Sequence, residues 1–88
     1  MPLVRLRPPL SELAGGQTEL RLEGGTVAEV LAALERAHPE TAGWILDERG
    51  RIRPHVNVFV NKERGARETA VGTDDRVQVL PAISGGES

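Results

Sequence analysis

Residues 55–61 read His-Val-Asn-Val-Phe-Val-Asn, which places Val56, Val58 and Val60 on one face and Asn57, Phe59 and Asn61 on the other. A period of two with β-branched residues on the repeating face predicts a half-buried strand. Residues 76–80 repeat the period with Val77 and Val79 turned inward, and residues 18–23 set Leu20 and Leu22 against Glu19, Arg21 and Glu23. Residues 3–7 form a shorter strand stopped by Pro8-Pro9, and residues 67–70 a weaker extended piece. The period changes at Thr26. Val27, Val30, Leu31 and Leu34 recur at helical spacing, and Thr26 with Glu29 has the spacing of a capping box. Pro39 closes that helix after His38, residues 40–46 are read as a further helical turn carrying Trp44, and residues 47–53 as a charged loop around Gly50. Pro81 is expected to end the sheet, leaving a domain of residues 1–81 and a flexible, patternless tail of residues 82–88.

Composition narrows the functions open to such a chain. Its 88 residues suffice for one hydrophobic core, and 39% hydrophobic with 27% charged residues, spread along the chain, is the balance of a folded domain. The formal charge is −2, and Phe59 and Trp44 are the only aromatic residues, so nucleic-acid binding is not expected. Without cysteine there are no disulfides and no thiolate chemistry. His38 and His55 lack a carboxylate-rich spacing, so neither a metal site nor a bound cofactor is expected. No charged segment followed by an apolar run opens the chain, and no stretch of about 18 apolar residues occurs, which points to a cytoplasmic protein away from membranes. Lys62, the only lysine, and the turn pair Asp74-Asp75 read first as solvated surface.

The order strand, strand, helix, strand, short strand, strand predicts an α+β chain: a mixed sheet of four to five strands with one main helix packed on it, the first and last strands central and parallel. That is the β-grasp, or ubiquitin-like, topology. The segments Val-Asn-Val-Phe-Val-Asn (56–61), Asp-Asp-Arg-Val-Gln-Val-Leu-Pro-Ala (74–82) and Ile-Ser-Gly-Gly (83–86) resemble the ThiS/MoaD-like ubiquitin-related sulfur carriers of thiamine and molybdopterin biosynthesis. Within that group the chain looks most like the actinobacterial carriers that feed cysteine synthesis.

The resemblance directs attention to Gly85-Gly86. Paired glycines are usually loop residues, as Gly15-Gly16 and Gly24-Gly25 are here, but this pair lies a few residues beyond a terminal strand. A carboxylate is a poor electrophile, so attaching sulfur to it requires an anhydride such as an acyl adenylate. The resemblance implies that a ubiquitin-activating-type adenylyltransferase uses ATP to activate Gly86, that a sulfur donor converts it to a thiocarboxylate, and that a biosynthetic enzyme accepts the sulfur. Gly85, without a Cβ, clears the channel behind the reacting atom. The chain itself is then not an enzyme.

Glu87-Ser88 depart from this pattern, because they leave the Gly86 carbonyl as an amide. Either a C-terminal processing peptidase removes them, or they are foreign to the natural chain, or this member is inactive; natural masking is preferred. Phe59, Leu80, Ile83 and Ser84 are the expected partner contacts, an apolar patch beside the tail. The competing readings are the small subunit of molybdopterin synthase, a protein modifier forming isopeptide bonds through Gly86, and an interaction domain with an inert tail.

Overall fold

The computed structural model describes residues 1–81, which run as β1 (Leu3–Leu6), α1 (Leu10–Leu13), β2 (Glu19–Arg21), α2 (Val27–Ala37), a 3₁₀ turn (Pro39–Thr41), β3 (Val56–Val60), β4 (Glu63–Arg64) and β5 (Arg76–Pro81). Five strands form one sheet in the order β2-β1-β5-β3-β4. β1 and β5 are parallel, and every other pairing is antiparallel. This is the mixed β-grasp sheet with one main helix packed across it.

The period-two valines explain the inner face. Val4, Leu6, Val56, Val58, Val60, Val77 and Val79 are buried against Val27, Val30, Leu31 and Leu34 of α2. Full burial of each large side chain contributes roughly 1.5–3 kcal/mol. The N-terminus of α2 is closed from two directions. Thr26 Oγ1 accepts from the Glu29 N–H at 3.2 Å, and Glu29 Oε1 accepts from the Gly25 N–H at 2.8 Å. The Val27 and Ala28 N–H groups donate to the carbonyls of Thr69 and Arg67, at 3.0 and 2.9 Å. Residues 67–70 are therefore not a sheet strand: two of their carbonyls meet helix donors that would otherwise lack partners, and Ala70 makes only an isolated bridge to Thr26.

Two further elements differ from the sequence expectation. Pro8-Pro9 does not lead into a plain loop, because Pro9 is the N-cap of the one-turn α1, which buries Leu10 and Ser11. Pro81 is the last described residue of β5, where it lies opposite Val56. The Asn61 N–H donates to the Arg76 carbonyl, so the nitrogens of Val77, Val79 and Pro81 face β1, which has already ended at Leu6 opposite Val79. The missing proline N–H breaks no ladder bond there.

The short fifth strand is β4, made by an immediate reversal through Asn61 (φ 52°) and Lys62 (φ 76°). Two successive left-handed residues between paired Val60 and Glu63 make a type I′ hairpin turn, whose second position favours glycine. Replacing Lys62 with glycine is expected to raise stability by about 1 kcal/mol. Urea unfolding measures it, and a Lys62→Gly midpoint at or below that of the parent contradicts this account of the turn.

Candidate functional site

β5 connects the core to the diglycine, and its pairing organises the face around it. The outer sheet face, away from α2, is read from register. One cross-strand row runs Glu19, Arg5, Gln78, Phe59, Arg64 over all five strands, and a second runs Arg21, Leu3, Arg76. Toward the end of β5 lies the pair Leu80 and Asn57. Phe59 thus sits diagonally from Leu80 on the neighbouring strand, within reach of a large side chain. Both are half-buried rather than fully exposed. Gly85, Gly86, Ile83 and Ser84, with the expected flexible tail, lie outside the described residues.

Around the two apolar residues the side chains are polar, and Arg5, Arg7 and Arg64 among them are cationic. Arg5 Nε lies 3.2 Å from Glu19 Oε2, and Arg64 Nη2 donates to Asn57 Oδ1 at 2.6 Å. Arg7, just past β1, lines a shallow depression with Arg5, Gln78 and Leu80. At the other end of β5 the Asn61 amide donates to Asp75 Oδ1 at 2.8 Å, while its oxygen accepts from the Arg76 N–H at 3.0 Å. The Gly72 N–H at 2.7 Å, followed by the Asn61 amide, holds the Asp75 carboxyl below the usual carboxylate range. Asp75 therefore braces two turns. Asp47 is lowered in the same way, first by the Arg51 N–H and, opposed by desolvation, also by the Arg49 N–H; it caps a separate loop bearing Arg49 and Arg51.

Nothing else in the described part gathers catalytic groups. Among the described residues no three His, Cys, Asp or Glu side chains are grouped to hold a metal ion. A depression of about 430 Å³ beside α2 is lined by Glu23, Gly24, Gly25, Glu29, Ala32 and Arg36, but Glu29 is already engaged in the helix cap. No helix among the described residues is long and apolar enough to cross a membrane. The arrangement is that of a rigid sheet that presents a face and leads into a tail.

The ThiS family model matches residues 4–86, nearly the whole chain. The chain belongs to the ThiS family. The small archaeal modifier protein 1 of Haloferax volcanii is 33% identical over 93% of this chain and 97% of its own. The sulfur carrier protein CysO of Mycobacterium tuberculosis is 32% identical over 82% of this chain and 84% of its own. Among solved structures, the Amycolatopsis orientalis BexX/CysO complex contains a chain that superposes with a TM-score of 0.88 at 28% identity, covering 98% of this chain and 100% of that one. The family comprises small ubiquitin-like carriers and modifiers that work with partner enzymes, and this chain has its fold. What the sequence could not reveal is the arginine face: Arg5, Arg21, Arg64 and Arg76 are scattered along the chain and meet only through strand register.

Proposed function

We propose that this chain is a cytoplasmic sulfur carrier, activated at Gly86 after Glu87-Ser88 are removed. The observation that carries the reading is where the family match stops: it ends at residue 86, on the second glycine, with two residues still to follow. A processing peptidase hydrolyses the amide between Gly86 and Glu87 and frees a carboxylate. That carboxylate attacks the α-phosphate of ATP on a partner adenylyltransferase, which releases pyrophosphate and leaves an acyl adenylate. A hydrosulfide-equivalent nucleophile from the sulfur donor then displaces AMP, and the resulting thiocarboxylate is consumed by an enzyme making cysteine or a related metabolite. The chain itself binds no cofactor and catalyses no step. It supplies a reacting end free of Cβ atoms and a face, with Phe59 and Leu80 at its centre and Ile83 and Ser84 beyond, that the partners grip.

The test compares a chain ending at Gly86 with the full 88 residues. With its activating enzyme, ATP and a sulfide source, the shortened chain is expected to support ATP–pyrophosphate exchange and to gain the mass difference between sulfur and oxygen. The intact full-length chain is expected to do neither until it is cut. Equal exchange by uncleaved full-length protein, or none by the shortened chain, overturns the proposal. The likeness to the archaeal modifier supports a second reading, in which Gly86 ends in isopeptide bonds. Lysine-branched Gly86 peptides in protein from the native cell would identify it.

A further inference from the structure

We propose that the cleft beside the first half of β3 is a binding site for a small phosphate-type oxyanion. The inference stands apart from the carrier reading, because it makes no use of the tail. β4 pairs only with Phe59 and Val60 of β3, and past that pairing the Gly65 N–H closes on the Val58 carbonyl at 2.8 Å. Beside Val56 and Val58 the sheet is then bordered by a cleft of about 290 Å³, with residues 52–54 as one wall and residues 64–67 as the other. Backbone bonds pin both walls. The Arg53 N–H donates to the Ile45 carbonyl, and the Arg53 carbonyl accepts from the Val56 N–H, both at 2.9 Å. Opposite, the Ala66 N–H donates to Thr69 Oγ1 at 2.8 Å, and the Arg67 carbonyl accepts from the Ala28 N–H of α2 at 2.9 Å. The fold therefore sets the width of the cleft without help from a ligand.

Each wall brings arginine: Arg53 on one side, Arg64 and Arg67 on the other. Arg64 is steadied by Asn57, and Arg67 extends toward the loop of residues 47–53, where its Nη2 lies 3.8 Å from the position a Cβ on Gly50 would take. No carboxylate lines the cleft, and among the described residues the one ion pair is Arg5 with Glu19. Glu48 lines the adjoining depression, which Arg53 also borders, and Asp47 accepts there from the N–H groups of Arg49 and Arg51. Arg53 Nε is shielded from solvent and donates to no acceptor in the chain. Three cationic side chains thus converge on one cleft with no counter-charge supplied by the protein.

The class of ligand follows from charge and shape. A carboxylate matches a single guanidinium fork and carries one negative charge. A tetrahedral phosphate-type ion carries more charge and directs its oxygens to several sides, so three arginines on two walls can donate to it together. Apolar Ile52, Val56 and Val58 complete the lining and strengthen such contacts by lowering the local polarity. The volume falls just below the roughly 300–1,000 Å³ of pockets that enclose drug-sized ligands, which favours a small ion over a whole nucleotide.

The experiment titrates the 88-residue chain with inorganic phosphate, pyrophosphate, acetate and AMP at constant ionic strength, followed by calorimetry and by amide shifts in NMR. Phosphate and pyrophosphate are expected to bind saturably and to shift residues 52–54 and 64–67, and acetate to bind about tenfold more weakly or worse. Arg64→Gln/Arg67→Gln, at two exposed positions, should weaken pyrophosphate about tenfold, and Arg53→Lys, which keeps the charge but loses the fork, about threefold. Arg21→Gln/Arg36→Gln removes the same charge elsewhere and should stay within about twofold of the parent. Melting curves confirm that the variants are folded. AMP binding no tighter than phosphate assigns the site to the free ion, and AMP binding much tighter at the same residues assigns it to the phosphoryl group of a nucleotide; both support the site. Absence of saturable binding, acetate binding as tightly as phosphate, or equal losses in the two double variants overturns the proposal.

Discussion

Gly24→Ala is expected to destabilise the domain by about 3 kcal/mol or more, a large part of the roughly 5–15 kcal/mol that holds a small domain together. Gly24 has φ 155°, and a Cβ built there would lie 2.6 Å from the Val30 nitrogen, 2.7 Å from Val30 Cγ2 and 3.0 Å from the Glu29 carbonyl carbon. The first and last of these are backbone atoms of the first helical turn. No rotamer change moves them, and the Val30 N–H is engaged with the Thr26 carbonyl at 3.0 Å. Relief requires the chain entering α2 to lift away, which opens the Thr26 cap and separates Val27 and Val30 from the valines of the sheet. Gly16→Ala is the matched control: its φ is 83°, but nothing lies within 4 Å of the added carbon. It should lose only about 1 kcal/mol, from left-handed strain alone. Urea unfolding of both variants checks the contrast, and equal losses would contradict the contact described at Gly24.

Gly86→Val, in the chain ending at that residue, is expected to melt with the parent and to lose roughly a hundredfold or more in ATP–pyrophosphate exchange. The two halves of the expectation have different causes. The buried cluster is built from residues between Val4 and Val79, and residue 86 is expected to add nothing to it. Activation, in the proposed reaction, brings the terminal carboxylate in line with the α-phosphate inside a channel shaped for glycine, where a β-branched side chain both collides and restricts φ and ψ. Parent-like exchange from Gly86→Val would remove the tail from the chemistry. A lowered melting temperature would instead show that the tail belongs to the fold.

The elements legible in the sequence are those whose side chains decide the backbone. Val56, Val58 and Val60 alternate because one face is dry, and Thr26 with Glu29 announces a helix because both groups satisfy backbone N–H donors locally. The illegible elements are decided elsewhere in the chain. β4 begins where it does because Asn61, held by Asp75 and Arg76, opens the turn, and Lys62 rather than glycine fills its second left-handed position, so half of the usual turn signal is missing. Residues 67–70 look extended, but their carbonyls are taken by a helix that starts some forty residues earlier. For the candidate site the same division holds. The outward direction of Phe59 could be read from alternation, whereas Gly85-Gly86 lie outside the described residues. The basic rim needed the register of four strand pairings, which no local pattern contains.

The central place of β5 has a mechanical consequence. The strand next to the tail is bonded on one side to parallel β1 and on the other to antiparallel β3, so no edge of it is free. Tension applied through the tail runs along the strand axis and loads both ladders in shear, many hydrogen bonds at once, whereas an edge hairpin under tension unzips bond by bond. In the proposed function, a domain drawn from one partner to another by its last residues is expected to resist that pull through both ladders at once. A motor that threads proteins from this end meets its strongest resistance at the first strand it reaches.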